Sequence, residues 1–150
     1  MISFILPSNH IMRHFPMRDG NIGSLFYVRT PVELLTFAAT QYPQIFYDAM
    51  FDVDGRKRLS FMAEQDIGVC NIVPLNKLSQ EEIDSLTLEE RDGYMVKVFR
   101  THQLFPTKEF HIILGENNTV ITMFPGPMAP PLPQNEEISD FWESHAFIKQ

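Results

Sequence analysis

The sequence predicts an α+β domain in which two or three helices pack on an antiparallel sheet of four or five strands. Short runs rich in β-branched and aromatic residues recur along the chain, and two helix-start motifs lie between them. The length of 150 residues suits one domain, and an apolar content of 44% suits a packed core. We therefore predict a single domain over residues 1–150.

Two segments carry the residues that begin helices. Glu33 follows Thr30 by three positions, with Pro31 directly after the threonine, and Glu82 follows Ser79 at the same spacing. A serine or threonine side chain caps free N–H groups of a first helical turn, and proline is favoured at the first helical position. Helices are predicted to begin immediately after Thr30 and after Ser79.

Three runs in the second half predict neighbouring strands. Residues 94–100 alternate in polarity, and residues 109–114 and 119–124 are joined by a short polar turn. Because side chains alternate along a strand, the odd-numbered Glu109 and His111 should share the face opposite the apolar residues of their strand. The polar turn predicts that 109–114 pairs with 119–124, and one hypothesis pairs the run 94–100 with 109–114.

The end of the chain divides into two predicted segments. Residues 125–135 are rich in proline, which excludes an ordinary helix or a central strand, so this segment is predicted to be extended. Residues 137–149 place Ile138, Phe141, Trp142 and His145 on one helical stripe. They are predicted to form a terminal helix that docks on the core.

Composition and charge limit the predicted partners. The formal net charge is −7, and residues 76–150 carry six basic and twelve acidic side chains. A basic face, which DNA binders use, is absent from the sequence pattern, and no apolar run reaches the length of a membrane span. The start of the chain lacks the basic region of a signal peptide, so a cytoplasmic protein without membrane or DNA partners is expected.

The sequence motifs favour neither a cofactor nor a metal. Neither GxGxxG nor GxxxxGK[ST] occurs, and the GxSxG element of many serine hydrolases is also missing. His10 and His14 have the spacing of two metal ligands on a helix, but their segment lacks a continuous helical pattern. The single cysteine, Cys70, lies in an apolar run typical of a buried strand.

The remaining candidates cluster around the C-terminal strands. If those strands pair as predicted, one sheet face would present a histidine beside basic and hydroxyl groups. A histidine can move a proton, a cation can stabilise a phosphorane and a hydroxyl can orient a phosphate, as RNA cleavage without a metal requires. The predicted catalytic residues are Arg100, His102, Lys108, His111 and Thr122.

The segments HIILG and VITMFPG resemble the closing hairpin of the barnase, EndoU, colicin and RelE group of metal-independent ribonucleases. In that group a histidine-bearing strand precedes a VTxYP-like strand. The resemblance implies an α+β fold, RNA or nucleotide as partner, and His111 and Thr122 as cleft residues. Phe124 stands where the group has tyrosine, the chain is acidic where these ribonucleases are usually basic, and the segment APPLP lies outside the pattern.

Two non-enzymatic hypotheses use other parts of the chain. The proline-rich segment contains two PxxP-like spacings that could enter an aromatic groove of another protein. Alternatively, the acidic C-terminal half could dock on a basic surface as an inhibitor does. The predicted binding residues are Phe124, Pro127, Pro130, Pro131 and Leu132.

Overall fold

The computed structural model describes residues 2–6, 14–15, 24–91, 93–101, 103–130 and 140–149. Within these ranges the fold class is α+β, as predicted, with ten strands in three sheets and four α-helices. The chain forms two compact units, Met1–Val69 with Pro106–Pro127 (unit 1) and Cys70–Phe105 with Met128–Gln150 (unit 2). Compact units need not fold independently of each other. A single domain over residues 1–150 therefore stays a prediction.

Unit 1 contains helices and two small sheets. Its helices are α1 (Pro31–Gln41) and α2 (Pro43–Asp48). Its strands are β1 (Leu25–Phe26), β2 (Lys57–Met62), β3 (Gly68–Cys70), β7 (Phe105–Thr107), β8 (Glu109–Leu114) and β9 (Val120–Pro125). One sheet has the order β2-β8-β9 and is antiparallel throughout. The other has the order β1-β3-β7, and β3 and β7 each extend one residue past the boundary of the unit.

Unit 2 is a four-stranded sheet with two short helices. The strands are β4 (Ile72–Pro74), β5 (Thr87–Arg91), β6 (Tyr94–Arg100) and β10 (His145–Lys149), and the helices are α3 (Gln80–Asp84) and α4 (Asp140–Glu143). The strand order is β4-β10-β6-β5, in which β10 and β6 are parallel and the other pairs antiparallel.

Both predicted helix starts are confirmed. The Thr30 side chain accepts a hydrogen bond from the Glu33 N–H at 3.2 Å, and α1 begins at Pro31. At α3, Ser79 and Glu82 cap each other's backbone N–H groups at 3.1 and 2.8 Å. These local contacts satisfy donors that a first helical turn otherwise leaves unpaired.

The core of unit 1 lies between its helices and one face of the β2-β8-β9 sheet. Leu34, Leu35 and Ala38 of α1 belong to the same buried cluster as Phe61 of β2 and Phe110 of β8. The rings of Phe61 and Phe110 stack with centroids 4.6 Å apart and an interplanar angle of 8°. The core face of the sheet is therefore tied to α1 by large buried side chains.

The predicted strand pairing is wrong in one respect. β8 pairs with β2 and β9, whereas β6 pairs with β5 and β10, so the run 94–100 does not pair with 109–114. The predicted pairing of 109–114 with the following strand is confirmed. A single antiparallel sheet of four or five strands is replaced by three sheets, one of which contains a parallel pair.

The predicted terminal helix is also wrong over residues 144–149. Among residues 140–149, helix is restricted to α4, and strand β10 follows it. β10 pairs with strands on both sides, and these ladders hold its apolar run extended. Residues 137–139 lie outside the described residues. In the proline-rich segment 125–135, Pro125 ends β9, and residues 126–130 form neither helix nor strand. Residues 131–135 lie outside the described residues.

Candidate functional site

The candidate site lies on the face of β8 that points away from the unit 1 core. Phe110, Ile112 and Leu114 are buried in the core on one side of this strand. Alternation then places Glu109 and His111 together on the opposite side, as predicted. His111 is nevertheless only 3% exposed, so this polar side chain is held inside the protein.

The register of β2 against β8 places Ser60 directly opposite His111. Farther along the same pair of strands, the Ala63 N–H donates to the Lys108 carbonyl at 2.8 Å. Because hydrogen-bonded and non-hydrogen-bonded pairs alternate in an antiparallel ladder, Ser60 and His111 form a non-hydrogen-bonded pair. Side chains approach each other most closely in such pairs, and the Ser60 Oγ lies 3.0 Å from the His111 Nδ1.

A second hydrogen bond continues from the other ring nitrogen. The His111 Nε2 lies 2.8 Å from the Glu109 Oε2. An ionised carboxylate only accepts hydrogen bonds, so Nε2 carries the proton and donates to it. In the neutral ring, Nδ1 is then the acceptor, and the Ser60 hydroxyl donates to it. Glu109, His111 and Ser60 thus form one directed chain of hydrogen bonds.

Burial differs along this chain in a way that suits chemistry at its serine end. The imidazole is buried, the Glu109 side chain is 34% exposed, and Ser60 is exposed. Phe124 of β9 stacks on the His111 ring with centroids 5.3 Å apart. The ring is therefore fixed by two hydrogen bonds and a stacking contact, while the serine it contacts is an exposed residue.

The nearest guanidinium along β2 is engaged by carboxylates. Arg58 shares the Ser60 face of β2, and it pairs with Asp54 at 2.6 Å and Asp52 at 2.7 Å. The hydrogen bond from Arg58 lowers the pKa of Asp54 from its ordinary value of 3.8 to about 2. These two carboxylates offset the charge of Arg58, which makes the surroundings of Ser60 less suited to a polyanion.

This ion pair gives a prediction for acid stability. A carboxyl whose pKa is lower in the folded than in the unfolded protein stabilises the fold above its ordinary pKa, and that contribution disappears as the pH falls through the folded value. Between pH 4 and 2, the midpoint of thermal unfolding should therefore fall less for Asp54→Asn than for the wild-type protein. Calorimetry at several pH values measures this slope. Asp66→Asn is the control, because Asp66 is exposed and has no ion pair within the described ranges.

The other predicted catalytic residues are placed as follows. Thr122 lies opposite Ile113 on β9, on the same sheet face as His111, but no hydrogen bond within the described residues joins it to His111. Lys108 is exposed directly before β8. Arg100 belongs to unit 2 and pairs with Glu89 at 2.7 Å. His102 lies outside the described residues.

Three of the five predicted binding residues lie within the described part of the chain. Phe124 contacts the rings of His111 and His14, with centroid distances of 5.3 and 6.3 Å. Pro127 and Pro130 are half-buried, and Pro131 and Leu132 lie outside the described residues. A role of these residues in binding a protein partner stays a prediction.

Ser60 is the site residue that sequence reasoning missed. Glu109 and His111 are two positions apart on a strand, which placed them on one face, but Ser60 is 51 positions from His111. A sequence signal for this contact would have required the register of β2 against β8. The sequence SFM around Ser60 carries no motif that identifies a nucleophile.

Other features of the described residues stand apart from this site. An apolar pocket of about 600 Å³ is lined by Phe4, Val32 and Tyr47 among others, and none of the three site side chains lines it. Within the described ranges, no three histidine, cysteine or carboxylate side chains gather where they could hold a metal ion. Nor does any described helix have the length and apolar character needed to cross a membrane.

Comparison of the chain with protein-family models, curated proteins and solved structures finds no match.

Proposed function

We propose that unit 1 is a hydrolase in which the Ser60 hydroxyl attacks the carbonyl carbon of an ester or amide. The observation that carries this proposal is the directed chain from Glu109 through His111 to an exposed serine. A serine hydroxyl is a weak nucleophile unless an adjacent base accepts its proton, and a third group usually orients that base. All three parts lie within hydrogen-bonding distance here, at 2.8 and 3.0 Å.

Each residue has a defined part in the reaction. The His111 Nδ1 removes the Ser60 proton as the bond between Oγ and the carbonyl carbon forms. Glu109 holds the proton on Nε2 and stabilises the imidazolium that results. The imidazolium then protonates the leaving alcohol or amine, which departs and leaves Ser60 acylated. Water, deprotonated by His111 in turn, releases the acid and restores the hydroxyl.

A neutral carbonyl compound suits the surroundings of Ser60 better than a nucleic acid. Arg58 is engaged by two carboxylates, and Met62, the next outward residue of β2, is apolar and 62% exposed. RNA cleavage through His111 is the second proposal, and the placement of Thr122 on the same sheet face favours it. It predicts cleavage of a short RNA that does not require the Ser60 hydroxyl.

The test is covalent labelling of Ser60. A small alkyl fluorophosphonate should form a bond between phosphorus and the Ser60 Oγ with loss of fluoride, because His111 accepts the hydroxyl proton. Peptide mass spectrometry should locate the adduct on Ser60, and Ser60→Ala should abolish it. A folded wild-type protein that remains unlabelled at Ser60 under conditions that label known serine hydrolases would contradict the proposal.

Ser144 provides a matched control within the same chain. Its Oγ lies 3.0 Å from the His145 Nδ1, a distance equal to that in the candidate site. That nitrogen, however, also lies 2.7 Å from the Phe141 carbonyl oxygen, which can only accept. The His145 Nδ1 therefore carries a proton and cannot take one from Ser144. We expect Ser144 to stay unlabelled and Ser144→Ala to label at the wild-type rate.

A further inference from the structure

The outer edge of β2 has backbone groups that no strand in the described part of the chain pairs. β2 ends its sheet, in the order β2-β8-β9, and among the described residues its only strand partner is β8. The bond from the Ala63 N–H to the Lys108 carbonyl fixes the alternation along the strand. Residues 57, 59 and 61 therefore bond to β8, and the N–H and C=O groups of residues 58, 60 and 62 point away from it.

One of these outward groups has a partner and marks an end of the open edge. The Met62 carbonyl accepts a hydrogen bond from the Tyr42 hydroxyl at 3.2 Å. Among the described residues, the outward N–H and C=O of Arg58 and Ser60 have no hydrogen-bond partner. The open edge thus centres on Ser60, whose side chain belongs to the candidate site.

We propose that the hydrolase takes an extended, peptide-like acyl substrate whose backbone pairs with the free edge of β2. This inference rests on the proposed function and names its substrate class. An extended peptide presents N–H and C=O groups at the spacing that an open strand edge offers, and strand addition is a recurrent mode of peptide recognition. A nucleic acid does not present that alternation.

The same pairing would position the bond to be cleaved. In this arrangement the Ser60 N–H donates to a carbonyl oxygen of the substrate strand, beside the hydroxyl that attacks. A backbone N–H at this place also stabilises the negative charge that develops on that oxygen, and the N–H of the attacking serine is used in this way in known serine proteases. The edge therefore supplies both alignment of the substrate and one oxyanion donor.

A matched pair of probes tests the inference. Both are tripeptide diphenyl phosphonates with the same side chains and the same leaving phenol, and one has its backbone amides N-methylated. N-methylation removes the N–H groups that strand pairing needs and leaves the reactive phosphorus unchanged. Wild-type Ser60 should react roughly thirtyfold faster with the unmethylated probe, which corresponds to two net hydrogen bonds of ordinary strength.

Met62→Pro supplies a complementary protein variant. The Met62 N–H points away from β8, so proline removes no bond of the β2-β8 ladder, while its ring obstructs the outer edge. The ratio of the two labelling rates should fall toward one in Met62→Pro and stay near the wild-type ratio in Met62→Ala. A ratio within one protein is independent of how much of that variant is folded.

The outcomes separate the two proposals. If both probes label wild-type Ser60 at equal rates, the edge does not bind the substrate backbone, and the hydrolase proposal stands without it. If the ratio is large but unchanged in Met62→Pro, the methyl groups act elsewhere and the edge inference is wrong. If neither these probes nor the alkyl fluorophosphonate labels Ser60, the proposed function fails, and the substrate inference fails with it.

Discussion

Replacement of His111 by glutamine should slow the covalent modification of Ser60 by a factor of about 10²–10⁴, the range that a positioned general base contributes. The glutamine side chain is polar and close to histidine in size, so it can occupy the buried site, but it cannot accept the hydroxyl proton. The measurement is the second-order rate constant for labelling with the alkyl fluorophosphonate, followed by intact mass. Circular dichroism and the thermal midpoint establish that the variant is folded.

Glu109→Gln tests the direction of the hydrogen bonds. Its amide can donate to the His111 Nε2, which would leave the ring proton on Nδ1, where Ser60 requires an acceptor. We expect a labelling rate below that of the wild-type protein and a fold that is unchanged. If His111→Gln and Glu109→Gln both retain the wild-type rate, then the Ser60 hydroxyl is not activated by this chain of side chains.

The helix starts were predictable because their determinants are local. The Thr30 and Ser79 caps each contact a residue three positions away, so the motif and the structure it stabilises lie within one helical turn. The face of β8 was predictable for a similar reason, since alternation along one strand needs no knowledge of its neighbours.

The strand partners were not predictable, because they depend on contacts between distant parts of the chain. The run from 94 to 100 lies near β8 in sequence, yet β8 pairs with β2, and β6 pairs with a strand at the end of the chain. The terminal segment was misassigned because Ala146, Phe147 and Ile148 form a short apolar run, which suits a buried strand as well as a helix. β10 pairs with a strand on each side, and this pairing makes the segment a strand instead of a helix.

The candidate site also combines a local feature that was predictable with a long-range contact that was not. Glu109 and His111 were placed together from the sequence, but the partner that gives them a chemical role is contributed by β2. Ser60 lies opposite His111 because of the register of β2 against β8. Core packing sets this register, because a slip of one residue would move every side chain of β2 to the opposite face of the sheet. The stacked Phe61 and Phe110 are the adjacent pair on the core side of the sheet.

Replacement of Phe110 by alanine should therefore have the largest effect on stability, lowering the free energy of unfolding by about 3–5 kcal/mol. Phe110 is fully buried, and its ring contacts those of Phe26, Phe37 and Phe61. Alanine removes these contacts and leaves a cavity that the surrounding rings fill only in part. The measurement is urea unfolding followed by far-ultraviolet circular dichroism, because the single tryptophan lies in unit 2 and reports on different packing.

Phe51→Ala is the matched control for Phe110→Ala. Phe51 is 53% exposed, and its ring contacts the Lys57 ammonium at 4.6 Å, a surface contact of about 0.5–1 kcal/mol. Hydrogen exchange adds a local readout, since the amides of β8 should lose protection in Phe110→Ala and keep it in Phe51→Ala. Equal losses of stability in the two variants would mean that the Phe61 and Phe110 stack does not hold β2 against β8. The position of Ser60 opposite His111 would then need another source of register.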